Sequence, residues 1–196
     1  MLISIVGKSG CGKTTIAQTF KSLDTRIIHI DVDKISYHVL TLTKVKNQIR
    51  EKFSEECIQH NEVQRKILGK IVFSSPEQMQ ILTDITWPSM EEIIDEIISK
   101  NQGKIIILDW LLLPKTKFFQ QSDLKIWIES PTEIRLERAM KRAANKEVIT
   151  PEYFLKRDAA GINYEEGKYD TVIDNSNNID IEKEVQKIYD KSIISR

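Results

Sequence analysis

Residues 7 to 14 read Gly7-Lys8-Ser9-Gly10-Cys11-Gly12-Lys13-Thr14, a full Gly-x4-Gly-Lys-Thr run. Such a run cradles phosphates. Its glycines let the backbone fold round the anion with several NH groups pointing inward, and the helix that follows presents its positive N-terminus. Lys13 is spaced to reach the β- and γ-phosphates and the Thr14 hydroxyl to ligate Mg2+, with Gly7, Gly10, Cys11, Gly12 and Thr15 completing the expected nucleotide site. Cys11 lies among NH groups at a helix N-terminus, where a thiolate is electrostatically favoured. It is therefore expected to alkylate faster than Cys57.

Three further constellations could do chemistry. Asp31 and Asp33 follow an apolar run, at the carboxyl end of a strand where α/β folds bind ligands. An acid there can accept the proton of a phosphoryl acceptor or hold Mg2+ through water, or it can simply cap the next helix. Asp109 ends the apolar run Ile105-Ile106-Ile107-Leu108 and resembles the carboxylate that orients Mg2+ in phosphate-loop proteins, although a plain strand-end acid reads the same way. Arg135, Arg138 and Arg142 share one helical face and are followed, after Ala143-Ala144-Asn145-Lys146, by Arg157. These arginines could close over a triphosphate and neutralise its charge, or form an ordinary solvated stripe.

The elements that must position these groups alternate strand and helix. Leu2 to Val6, Arg26 to Ile30, Ile105 to Leu108, Lys125 to Ile128 and Asp170 to Ile173 read as five short buried strands. Ser130-Pro131-Thr132-Glu133 is a helix start with proline at the first helical position, predicting a helix to about Ala144; Ile179 to Ile194 reads as a closing helix. Lys44 to Lys100 shows helical periodicity and no strand, with a break at Trp87-Pro88, since the residue before proline avoids helical geometry. At 196 residues the chain suits one α/β domain, without room for a second catalytic one. Lys plus Arg and Asp plus Glu balance at 29 each, so no global field favours nucleic acid or an anionic membrane. The first strand starts at once, without a signal-like leader, and no apolar run is long enough to span a membrane, so a cytoplasmic protein is expected. Two cysteines fit reduced thiols better than a disulfide framework.

Competing classes of phosphate-loop protein leave different marks. A GTPase should carry Asp-x-x-Gly before Asn-Lys-x-Asp, whereas here Asp158-Ala159-Ala160-Gly161 follows Asn145-Lys146-Glu147-Val148 and the final aspartate is absent. Motor and transporter ATPases need longer chains. A small kinase fits best, and a nucleotide binder without catalysis remains the alternative from another class.

Nearly the whole chain resembles the dephospho-coenzyme A kinases. Asp31-Val32-Asp33 matches that family's Asp-Ala-Asp, and Arg65-Lys66-Ile67-Leu68-Gly69-Lys70-Ile71-Val72-Phe73 its Arg-x-x-Leu-x-x-x-Val-Phe stretch. Arg138-x3-Arg142 resembles the family lid, and Val172-Ile173-Asp174-Asn175 its Val-Ile-Asp-Asn near the adenine. The resemblance implies a P-loop fold with a five-stranded parallel sheet flanked by helices, and transfer of the ATP γ-phosphate to the 3'-hydroxyl of dephospho-coenzyme A. It implies a core of residues 1–33, 101–137 and 162–196, a helical acceptor insert of 34–100 and a lid of 138–161. It casts Asp33 as general base, Lys13, Arg138 and Arg142 as catalytic, Asn175 as nucleotide-binding and Thr14 and Asp109 as metal ligands. Asp31, Asp33, Tyr37, Arg65, Trp87 and Trp110 are then the expected acceptor contacts.

Departures cluster on the acceptor side. Tyr37 stands where the family has arginine, Trp87-Pro88 where it has His-Pro, and Trp110-Leu111-Leu112-Leu113-Pro114 where it has Pro-Leu-Leu-x-Glu. Ala143 replaces an aspartate after Arg142. These leave open another small nucleotide or nucleoside kinase with a reshaped pocket. ATP and Mg2+ are the expected cofactors, and a monomer or weak homo-oligomer acting on a small molecule, without nucleic acid or membrane, is the expected assembly.

Overall fold

The computed structural model describes residues 1–143, 150–159, 162–176 and 179–194. In chain order the elements are β1 (Leu2–Gly7), α1 (Lys13–Leu23), β2 (Ile27–Asp31), α2 (Val32–Val39), α3 (Thr43–Lys52), β3 (Ile58–Gln59), β4 (Glu62–Val63), α4 (Arg65–Val72) and α5 (Pro76–Lys100). They continue with β5 (Ile105–Asp109), α6 (Lys117–Gln121), β6 (Leu124–Glu129), α7 (Thr132–Ala143), α8 (Pro151–Ala159), β7 (Thr171–Asp174) and α9 (Ile181–Tyr189). Two compact units divide the chain: Met1–Asp31 with Gly103–Arg196, and Val32–Gln102.

The first unit is built on a five-stranded parallel sheet in the order β2-β5-β1-β6-β7. Its strands are near-continuous runs of isoleucine, leucine and valine because a parallel sheet is covered on both faces. One face packs Ile3, Ile5, Ile107, Ile126 and Ile128 against Ile16, Ala17 and Phe20 of α1 and Val185, Ile188 and Tyr189 of α9. Register sets the strand ends side by side: Asp31 pairs with Asp109, Gly7 with Ile128 and Glu129 with Asp174. The chemistry-bearing residues Gly7, Asp31 and Asp109 thus all lie at carboxyl ends of strands, where open α/β sheets bind ligands.

The second unit has its own core of Val45, Ile49, Cys57, Ile58, Leu68, Val72 and Ile85. Two expectations fail here. The helix α5 runs unbroken through Trp87 and Pro88 from residue 76 to residue 100. A proline removes one hydrogen bond and crowds the preceding turn, but Ile85, Thr86, Ser89, Met90 and Ile94, buried on both sides of it, hold the helix together. The segment is also not all helical. Residues β3 and β4 form a small antiparallel hairpin, turning at His60 (φ 49) and Asn61 (φ 63). Two left-handed residues give the turn twist that hairpins prefer, and Lys46 Nζ donates to the Asn61 carbonyl at 3.0 Å and to its Oδ1 at 2.9 Å.

Candidate active site

The phosphate loop joins β1 to α1, and its conformation explains its glycines. Gly10 has φ +83, and a β-carbon there would come within 2.6 Å of the Arg135 carbonyl oxygen. Gly12 has φ +98, and a β-carbon would collide with the Asn175 side-chain amide. Backbone conformation favours glycine at both positions, and at Gly10 the Arg135 backbone leaves no room for a side chain either. Lys13 Nζ lies across the loop, donating to the Gly7 carbonyl at 2.9 Å and the Lys8 carbonyl at 3.4 Å. Gly12 at the N-cap of α1 has no side chain with which to cap the helix, which suits a helix start meant for an anion.

Thr14 follows in the first turn of α1, and its Oγ1 donates a 2.8 Å hydrogen bond to Asp109 Oδ2. Thr15 is exposed beside it. Asp109 is 3% exposed at the end of β5, and His29 Nε2 donates to the same oxygen at 3.3 Å. His29 escaped the sequence reading because it sits inside an otherwise apolar strand. Its signal is positional: in a strand, residues two apart share a face, so His29 lies on the face of Asp31.

Asn175 is buried, and its Nδ2 donates to the Cys11 carbonyl at 2.7 Å. Cys11 is fully buried, its backbone N–H donating to the Lys8 carbonyl at 3.2 Å. Burial pushes its thiol pKa up, outweighing the opposing pull of the Lys13 charge. The expectation of a reactive Cys11 thiolate is therefore corrected: loss of solvation beats the helix N-terminus. Cys57 is buried as well, and burial followed by the Glu56 charge also raises its thiol.

The three arginines of α7 do not act as one stripe. Arg135 is 3% exposed. Its guanidinium grips Asp158 with two bonds, of 2.5 and 2.8 Å. Arg138 is half-buried, Nη1 lying 3.5 Å from Ser130 Oγ, and Arg142 is exposed, its Nε 3.4 Å from the Arg138 carbonyl. Lys8 and Asp158, absent from the sequence-based candidates, form an ion pair of 3.7 Å. The link Ala144 to Lys146 lies outside the described residues.

Asp31 is half-buried at the end of β2, and Trp110, just after β5, is buried with its backbone N–H donating to the Ile5 carbonyl at 3.2 Å. In the helical unit Asp33 is exposed in the first turn of α2 and Trp87 is partly buried on α5. Tyr37, 51% exposed, and Arg65 come together, the guanidinium lying 4.1 Å from the ring centroid. That stacking keeps an arginine and an aromatic on one surface, although 28 positions of sequence separate them.

A parallel five-stranded sheet, a glycine loop heading the first helix, and a hydroxyl–carboxylate pair beside it define a P-loop kinase. Residues 1–180 match the dephospho-CoA kinase family, and the chain belongs to that family. It is 30% identical over 195 residues to a dephospho-CoA kinase from Aquifex aeolicus, covering 96% of each chain. The dephospho-CoA kinase from Campylobacter jejuni superposes with a TM-score of 0.69 at 26% identity, over 100% of this chain and 98% of that one. A Thermus thermophilus structure, TT1252, shares the fold with a TM-score of 0.83 at 22% identity, over 98% of this chain and 97% of that one. Among the described residues no helix is long and apolar enough to cross a membrane.

Proposed function

We propose that this kinase transfers the γ-phosphate of ATP to the 3'-hydroxyl of dephospho-coenzyme A, with Mg2+ as its metal ion. In a chain of this family, the observation that carries the reading is the hydrogen bond from Thr14 to Asp109. A hydroxyl and a carboxylate at the head of the phosphate loop are hard oxygen donors, which suit Mg2+ rather than a soft metal. Held by Thr14 and Asp109, the ion would neutralise charge on the β- and γ-phosphates.

Lys13, whose ammonium donates to the Gly7 and Lys8 carbonyls of the loop, would turn to phosphate oxygens when ATP binds. The acceptor oxygen forms a bond to the γ-phosphorus as the bond to the β,γ-bridging oxygen breaks. ADP departs, and the hydroxyl proton passes to Asp33 as general base. Arg138 and Arg142 neutralise charge on the transferring group. Gly7, Gly10, Cys11, Gly12 and Thr15 line the nucleotide cradle, with Asn175 supporting it through the Cys11 carbonyl. Asp31, Asp33, Tyr37, Arg65, Trp87 and Trp110 are assigned to the acceptor, residues 34–100 to its insert and 138–161 to a lid. The same reading has the enzyme in the cytoplasm, as a monomer or weak homo-oligomer.

The test is ADP formation from Mg-ATP with dephospho-coenzyme A, AMP, CMP, dTMP, uridine and pantothenate, each offered separately. Phosphorylation of dephospho-coenzyme A, located at the 3'-position by phosphorus NMR, is the expected result. Faster turnover of another acceptor overturns the substrate assignment, and ATP binding without transfer to any acceptor overturns catalysis.

A further inference from the structure

Lys8 and Ser9 from the phosphate loop, Arg135 from α7 and Asp158 from α8 meet at one point of the sheet-bearing unit, where the side chains of Arg135 and Asp158 are 4% and 11% exposed. A guanidinium carries five N–H donors in a rigid fork. Those of Arg135 are all committed within the protein. Nε donates to the Ser130 carbonyl at 2.9 Å. Nη1 donates to the Ser9 carbonyl at 3.2 Å and to Asp158 Oδ1 at 2.5 Å. Nη2 donates to Thr132 Oγ1 at 2.9 Å and to Asp158 Oδ2 at 2.8 Å. An arginine so saturated has nothing left for a phosphate.

Its effect falls on the loop instead. Ser9 offers its carbonyl to the Arg135 side chain, and Gly10 abuts the Arg135 backbone so closely that a β-carbon would come within 2.6 Å of its carbonyl oxygen. One residue therefore restrains two consecutive peptide units of the cradle. On the other side, Asp158 completes the fork, and Lys8 Nζ stands 3.7 Å from Asp158 Oδ2. Burial alone would raise the Asp158 carboxyl, but the hydrogen bonds and charge of Arg135, with the charge of Lys8, hold it below the usual carboxylate range. A buried arginine without its counter-charge is costly and seeks another position.

We propose that Asp158 is a positioning residue for polyphosphate binding, which holds Arg135 against the Ser9 carbonyl and Lys8 at the loop's flank and so fixes the cradle's backbone without touching the nucleotide. This rests on reading Gly7 to Thr14 as the ATP phosphate cradle. It separates Arg135 in role from Arg138 and Arg142 one and two turns further along α7, and it makes a residue of α8 a determinant of affinity for ATP and ADP.

Calorimetric titration with Mg-ATP and Mg-ADP tests it in wild type, Asp158→Asn, Arg135→Lys and the control Glu137→Gln, whose exposed carboxylate pairs with Lys141. Arg135→Lys keeps a charge for Asp158 but loses the planar fork that reaches Ser9 at the same time. The expected result is a rise of about tenfold or more in Kd for both nucleotides in Asp158→Asn and Arg135→Lys, with Glu137→Gln unchanged. Steady-state kinetics should show KM for ATP rising while KM for the acceptor and kcat at saturating ATP move by less than about threefold. A folded Asp158→Asn that binds both nucleotides as wild type does overturns the proposal. If Asp158→Asn does not fold, Arg135→Lys decides in the same way, and equal rises in both KM values also overturn it as a sign of general disruption. Absence of nucleotide binding in wild type would overturn the cradle reading and this proposal together, whereas binding by wild type and variants alike overturns this proposal alone.

Discussion

Asn175 suspends the phosphate loop from the end of the last strand: its Nδ2 donates to the Cys11 carbonyl at 2.7 Å across 164 positions of chain, and its own backbone N–H donates to the Glu129 carbonyl at 2.7 Å. The missing side chain of Gly12 leaves room for this amide. Asn175→Ala strands a buried carbonyl, which typically costs about 1–3 kcal/mol. A lower urea midpoint together with weaker ATP binding is expected. A folded variant with both quantities unchanged would show the bond to be incidental.

Asp33 is the second residue of α2, two positions beyond the end of β2. Asparagine there keeps the shape and cannot take a proton. With a loose phosphoryl-transfer transition state that needs little early deprotonation, kcat should fall by about 100-fold while ATP affinity persists. Lys13→Ala should instead weaken binding and turnover together, by removing charge from the β- and γ-phosphates. Full-rate transfer by Asp33→Asn would reduce Asp33 to a helix-start residue.

Arg142 is exposed, and among the described residues its Nε makes only a 3.4 Å contact with the Arg138 carbonyl. Its removal should leave thermal stability within about 0.5 kcal/mol while lowering kcat roughly 100-fold, because its charge is needed only as the phosphoryl group moves. Equal kcat in Arg142→Ala and wild type sinks the assignment; Arg138→Ala is read by the same assay.

Both cysteines are buried with raised thiols, so little thiolate exists near neutral pH and neither is presented to solvent. Iodoacetamide should label native protein slowly at both positions and label urea-unfolded protein quickly. Rapid native labelling of Cys11 that Mg-ATP suppresses would restore the activated-thiol picture.

Acid should loosen the seat of α9. Hydrogen bonds from Arg26, with one of 2.7 Å from Tyr189, hold the Asp24 carboxyl well below its ordinary 3.8. A carboxylate depressed on folding contributes stability that is present above the unfolded pKa and is lost as pH falls below it. The stability gap between wild type and Asp24→Asn should therefore be full at pH 6 and shrink below about pH 3.8. Urea midpoints at pH 6 and pH 3 measure it, and a gap that widens toward acid would reverse the sign.

The five strands were legible because buried parallel strands concentrate β-branched residues, and the loop because backbone conformation favours glycine at φ +83 and +98. What stayed hidden depends on partners distant in sequence. Periodicity placed Arg135, Arg138 and Arg142 on one helical face but could not tell that Asp158, 23 positions on, would bury the first. The hairpin at His60-Asn61 lacks the usual glycine, and its strands have two residues each, too few for an alternating pattern. Trp87-Pro88 read as a break because the local rule does not count the apolar residues packed on either side of it.

The place of β1 at the middle of the sheet bears on how the molecule is made. Leu2–Gly7 pairs with Ile105–Asp109 on one side and Leu124–Glu129 on the other, so this strand, once it has left the ribosome, has neither neighbour until about a hundred later residues have followed. At ~5–20 residues per second that wait is on the order of ten seconds. During it Val32–Gln102, with a hydrophobic cluster of its own, can be completed while the strand bearing the glycine loop is still unpaired. A nascent chain halted before residue 105 would carry an apolar strand with no sheet to join, a ready client for a chaperone.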